Sequence, residues 1–124
     1  MKSQEDQELQ IKKSLLMIDE EREQLQKQKR KLEEYDEALF YIDQDEQRFY
    51  EQLIESHENS HDRNDFEVYK EENYRLGMKD KENLLSAFEE LEQKSKDLIV
   101  KEEELFHKKK TLFSEKEMED RYGY

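Results

Sequence analysis

Three short stretches carry residue types that could do chemistry. His57-Glu58-Asn59-Ser60-His61 is a literal H-E-x-x-H. On a helix, that spacing stacks two imidazoles one turn apart as zinc ligands, and the glutamate between them acts as a base. This chemistry needs a buried helix beside a cleft. Here the intervening residues are polar, and the motif runs into ENSHDRN, residues 58–64, which concentrates polar turn-formers. The only other histidine, His107, is remote in sequence. The motif supports adventitious nickel or zinc binding at a surface turn and nothing catalytic.

Asp43-Gln44-Asp45-Glu46-Gln47 opens like a calcium loop. The sixth position, which needs glycine for a sharp turn, is Arg48, and the twelfth, which needs a closing glutamate, is Ile54. The calcium reading fails on both. Lys27, Lys29, Arg30 and Lys31 form a basic cluster between acidic segments. Such a cluster reads as a solvated helix face. There is no glycine-rich phosphate loop and no nucleophile–base pair outside the turn. The expectation is a non-enzyme with no metal site and no cofactor.

What remains is packing. Leucine recurs every seven residues at Leu84, Leu91, Leu98, Leu105 and Leu112. A heptad of this kind holds one stripe of a helix against another helix. The N-terminal half carries a second ladder, Ile11, Ile18, Leu25, Leu32 and Leu39. Folded back, the ladders align rung for rung, with paired positions summing to 123 and the fold-back point between His61 and Asp62. The predicted fold is all-α, a long antiparallel two-helix hairpin of coiled-coil type forming one domain over 1–124. Helix 1 is expected at about 4–57, the turn at 58–64, helix 2 at about 65–119, and a frayed tail at 120–124.

Within helix 1, Leu32, Tyr35, Leu39, Ile42, Phe49 and Leu53 read as one apolar stripe, interrupted at Glu46. Residues 19–31 hold a single apolar residue, Leu25, and should be thinly anchored. Asn64 with Glu67 fits a capping box that would open helix 2. Gly77 falls level with Glu46, so both ladders weaken at one height, which suggests a bend or a local contact. Glu20 and Glu21 fall level with Glu103 and Glu102, a like-charge pairing that is unfavourable across a seam.

The bulk composition agrees with a thin structure. Of 124 residues, 46% are charged and 32% hydrophobic, with no proline and two glycines, so little interrupts a helix. The net charge of −13 speaks against nonspecific nucleic-acid binding and against docking on anionic membranes. The absence of cysteine removes disulfides and thiolate metal sites. No apolar run reaches a membrane-spanning length, so direct membrane insertion is not expected. MKSQEDQELQ has no apolar core for a secretory signal peptide. The expected location is the cytoplasm, with any export by a signal-peptide-independent route.

The informative surplus is apolar. Leu85, Ile99, Phe106 and Phe113 each stand one position beyond a ladder leucine, and Phe88 and Val100 widen that face. The first arm follows its own ladder with Lys12, Asp19, Gln26 and Glu33, which cannot cover such a face. Leu85, Phe88, Ile99, Phe106 and Phe113 are therefore candidate partner-binding residues, and the ten ladder residues are the candidate seam. The expected partner is a helical protein. The alternative is a structural coiled coil that self-associates into dimers or filaments.

The chain also resembles a known family. The Gln/Glu/Lys-rich first helix, the run from Leu84-Leu85 through Leu91, and Glu102-Glu103-Glu104-Leu105-Phe106-His107-Lys108-Lys109-Lys110-Thr111-Leu112 look like small helical accessory proteins encoded beside LXG-domain toxins. These belong to the type VII (Esx-type) secretion system of Gram-positive bacteria, and the likeness is to the second accessory type. The resemblance implies a chaperone or targeting factor that binds the helical N-terminal region of a cognate toxin; a second small accessory protein and, for the chain alone, a homodimer are the further partners considered. The chain departs from the wider system's signals. It has no tryptophan for a Trp-x-Gly turn, its Tyr41–Asp45 pattern is mid-helix, and Phe113–Glu117 is only a loose Phe-x-x-x-Glu.

Overall fold

The computed structural model describes residues 3–122. Two helices account for nearly all of them, α1 (Gln4–Ser56) and α2 (Arg63–Tyr122), joined by a short turn. The fold is an all-helical hairpin. Among the described residues there is no strand, and no helix is long and apolar enough to cross a membrane.

α1 begins at a polar cap. The Ser3 hydroxyl accepts from the Asp6 amide at 3.2 Å, and the Ser3 carbonyl accepts from the Gln7 amide at 3.1 Å. That satisfies donors which the first helical turn otherwise leaves orphaned. Glu5 and Asp6 complement the positive end of the helix.

The turn differs from the expected one. α2 starts at Arg63, ahead of the capping box expected at Asn64. The reason is local. The Ser60 hydroxyl accepts from the Asp62 amide at 3.1 Å, and the Asp62 carbonyl already accepts from the Phe66 amide at 3.1 Å. Asp62 therefore opens the helix, and Asn64 is already one of its residues. Arg63 reinforces the start by pairing with Glu67 at 3.2 Å and reaching the Glu58 carbonyl at 3.4 Å.

The expected frayed tail spans 120–124. Residues 120–122 continue α2. From 78 to 122 the sequence holds neither proline nor glycine, so no helix breaker falls in this part of α2. Residues 123 and 124 lie outside the described residues.

The chain divides into two compact units. One joins the start of α1, up to Gln28, with α2 from Leu91 onward; the other is Lys29–Glu90. In the first unit Ile11, Ile18, Leu98 and Leu112 are buried, and Leu25, Leu91 and Leu105 are half-buried. In the second, Leu84 is buried and Leu32, Leu39 and Leu53 are half-buried. Both units are antiparallel. The predicted register sets residue 50 opposite 73 and residue 57 opposite 66. The Asn73 amide donates to the Tyr50 hydroxyl at 2.9 Å, and the His57 and Phe66 rings meet edge to face with centroids 5.0 Å apart. In the first unit Arg22 meets Glu102 at 2.6 Å and Lys116 meets Glu8 at 3.4 Å, one residue beyond the same register.

Arg22 also answers the like-charge problem. Glu102, half-buried, is faced by the Arg22 guanidinium. Arg22 bonds Asp19 as well, at 3.6 Å, so one cation serves two carboxylates.

Candidate functional site

The H-E-x-x-H stretch straddles the turn. Residues 57–62 are not helical, so the spacing that would stack two imidazoles on one helical face is absent. His57 is engaged elsewhere. Its Nδ1 donates to the Leu53 carbonyl at 2.9 Å while its ring packs on Phe66. This histidine closes the end of α1 as a structural group. Among the described residues no three His, Cys, Asp or Glu side chains gather closely enough to hold a metal ion.

In the Lys29–Glu90 unit, the weak level at Gly77 and Glu46 turns out to be a polar layer. Asp43 leans over Gly77, where an added Cβ would sit 3.2 Å from its Oδ1. Lys81 faces the same carboxylate at 3.7 Å. With Tyr50 and Asn73 hydrogen-bonded below, polar contacts replace apolar ones across the seam at this height. No bend is needed to explain Gly77: its missing side chain is the space that Asp43 occupies. The calcium reading of this stretch has no loop to stand on, because residues 43–54 are continuous helix.

The stripe read from 32 to 53 splits in two. Leu32, Leu39 and Leu53 turn inward, but Tyr35 (54% exposed), Ile42 (50%) and Phe49 (56%) face water. A heptad stripe offers two apolar rows to its neighbours. In this unit one row is covered by α2, together with Asp43 and Tyr50, and the other is left bare. The spacing of three and four that defined the stripe does not reveal how many helices share it.

The candidate partner residues fall in both units. In the Lys29–Glu90 unit, Leu85 is exposed and Phe88 is half-buried. In the unit formed by the chain's two ends, Ile99 is 50% exposed, Phe106 51% and Phe113 63%. The ladder leucines just before these three are buried or half-buried, so the heptad row one position further round α2 is the one left in water. Val100 is exposed as well.

Phe106 and Phe113 do not stand alone. With Ile11 and Leu15 of α1 they line a groove of about 500 Å³, bordered by Lys12, Lys109 and Lys110. The groove's one carboxylate, Glu8, is already paired with Lys116. The three bordering lysines are exposed, and among the described residues none forms an ion pair. Sequence reading found the phenylalanines through their heptad spacing. It missed the lysine border, because Lys12 lies about a hundred residues from Lys109 and only the antiparallel pairing brings them to one groove. Chemically the site can bury apolar side chains and neutralise carboxylates.

Compared with family models, with curated proteins and with solved structures, the chain shows no match in any of the three.

Proposed function

We propose that this protein is a non-catalytic helical adaptor, a chaperone or targeting factor for the helical N-terminal region of a type VII-secreted LXG toxin. The single observation that carries a docking role is the bare row Ile99, Phe106, Phe113 above a satisfied seam. Apolar side chains that a small protein leaves in line in water mark an interaction surface. A continuous helical row is read most naturally by another helix, which lays its own i, i+3/i+4, i+7 positions along it. The toxin as the specific partner rests on the sequence resemblance alone.

The test is light scattering after gel filtration, on the chain alone and co-expressed with the N-terminal segment of an LXG toxin encoded beside it. A defined heteromer is the expected result. A chain that forms only homodimers or filaments, and ignores the toxin segment, establishes the structural coiled coil instead.

A further inference from the structure

Resting on that docking reading, we propose that the groove bordered by Lys12, Lys109 and Lys110 takes an amphipathic helix whose apolar stripe is flanked by carboxylates. The bulk charge argues the other way. A protein of net charge −13 should, at long range, prefer a basic partner. Charges at a docked interface act over shorter distances, however. Screening length is about 8 Å at physiological salt, so groups at the rim govern a seated ligand more than distant ones do.

At this rim the local charge is positive and uncommitted. Three lysines line the groove together with four apolar side chains, and its one acid is already paired. The apolar walls strengthen those charges, because they displace high-dielectric water from beside a bound ligand. Spacing points to a helix as occupant. Phe106 and Phe113 are seven residues apart on α2, which is about 10.5 Å along its axis at 1.5 Å per residue. That is the heptad repeat of an incoming helix, with its flanking positions falling over the rim lysines.

The experiment uses the full chain and two fluorescently labelled designed helices of about 21 residues, three heptads. Both carry leucine at the core positions. One has glutamate at the flanking positions and the other lysine. Binding is followed by anisotropy at physiological salt, alongside phosphatidylserine vesicles and light scattering of the protein alone. The wild type should bind the glutamate-flanked helix about tenfold tighter than the lysine-flanked one. Lys12→Glu, Lys109→Glu and Lys110→Glu together should reverse that order, with the circular dichroism spectrum unchanged.

Equal or tighter binding of the lysine-flanked helix overturns the inference. If Phe106→Ser with Phe113→Ser abolishes that binding, the docking face itself still stands and only the charge assignment falls. Binding of neither helix, binding of vesicles alone, or a groove filled only by a second copy overturns the inference as well. A preference that survives the triple charge reversal also overturns it, since the lysines would then not be its source.

Discussion

Replacing Phe106 and Phe113 together with serine separates a folding role from a docking role. Full burial of a phenylalanine side chain is worth about 1.5–3 kcal/mol. With Phe106 51% and Phe113 63% exposed, the hairpin draws half or less of that from each. The unfolded chain also hides some apolar surface, which lowers the figure further. The pair should therefore cost the free protein about 1–2 kcal/mol. The comparison is Leu98→Ala. Leu98 is only 5% exposed, and a buried leucine cut to alanine costs about 2–5 kcal/mol. Two serines on the bare row should thus lower the melting temperature less than one alanine in the seam. Partner binding should show the reverse order. Aromatic side chains central to an interface cost upwards of about 2 kcal/mol each when truncated, so the double serine should weaken a heteromer roughly a thousandfold. Leu98→Ala, measured well below its melting temperature, should change binding little. The assays are thermal melts by circular dichroism and partner titration by calorimetry. A double serine variant that melts below Leu98→Ala makes the phenylalanines ordinary core. One that melts and binds as the wild type does removes this row from the interface.

Three further outcomes follow from the same geometry. Spin labels on cysteines at positions 33 and 90, both in the Lys29–Glu90 unit, should sit within about 8–10 Å plus the label arms, and separations of many tens of ångströms in each monomer would refute the hairpin. His57→Ala should cost about 1 kcal/mol in chemical denaturation, since it loses the Leu53 bond and the Phe66 contact, whereas His61→Ala should fall within about 0.5 kcal/mol of wild type; zinc-dependent proteolysis lost in either variant would restore the catalytic motif. Gly77→Ala should raise the melting temperature, because alanine gains up to about 1 kcal/mol in a helix while Asp43, half-buried and held by a 3.7 Å contact to Lys81, can yield the few tenths of an ångström that a Cβ needs; a lower melting temperature would mean that the polar layer is rigid.

The turn and the register were legible for a simple reason. A heptad ladder is a one-dimensional signal, and two ladders of equal length with a polar cluster between them admit few alignments. What was misplaced at the turn was a matter of one hydrogen bond. Ser60 draws in the Asp62 amide and starts α2 early, a contest between neighbouring capping residues that composition does not decide. The Arg22–Glu102 pair was hidden differently. The expected register sets like charges level with one another, whereas a shift of one residue brings arginine to the carboxylate.

The polar layer and the bare rows share a deeper cause. A sequence states which positions are apolar, and leaves open which of them find a neighbour. In the Lys29–Glu90 unit α2 packs against the side of α1 that carries Asp43 and Tyr50, so Gly77 and Asn73 must accommodate polar groups there. Tyr35, Ile42 and Phe49 consequently lose the contact that their heptad spacing would have given them in a symmetrical two-helix seam. An apolar seam at this height would be the more stable choice for an isolated hairpin, since a polar pair across it recovers little beyond its own desolvation. The consequence is that the most regular apolar row of this stretch is left in water. The same logic holds at the chain's two ends, where the ladder leucines are covered and Ile99, Phe106 and Phe113 are not. In each unit, considered by itself, one apolar row at heptad spacing is left in water, and the proposed docking role rests on that row.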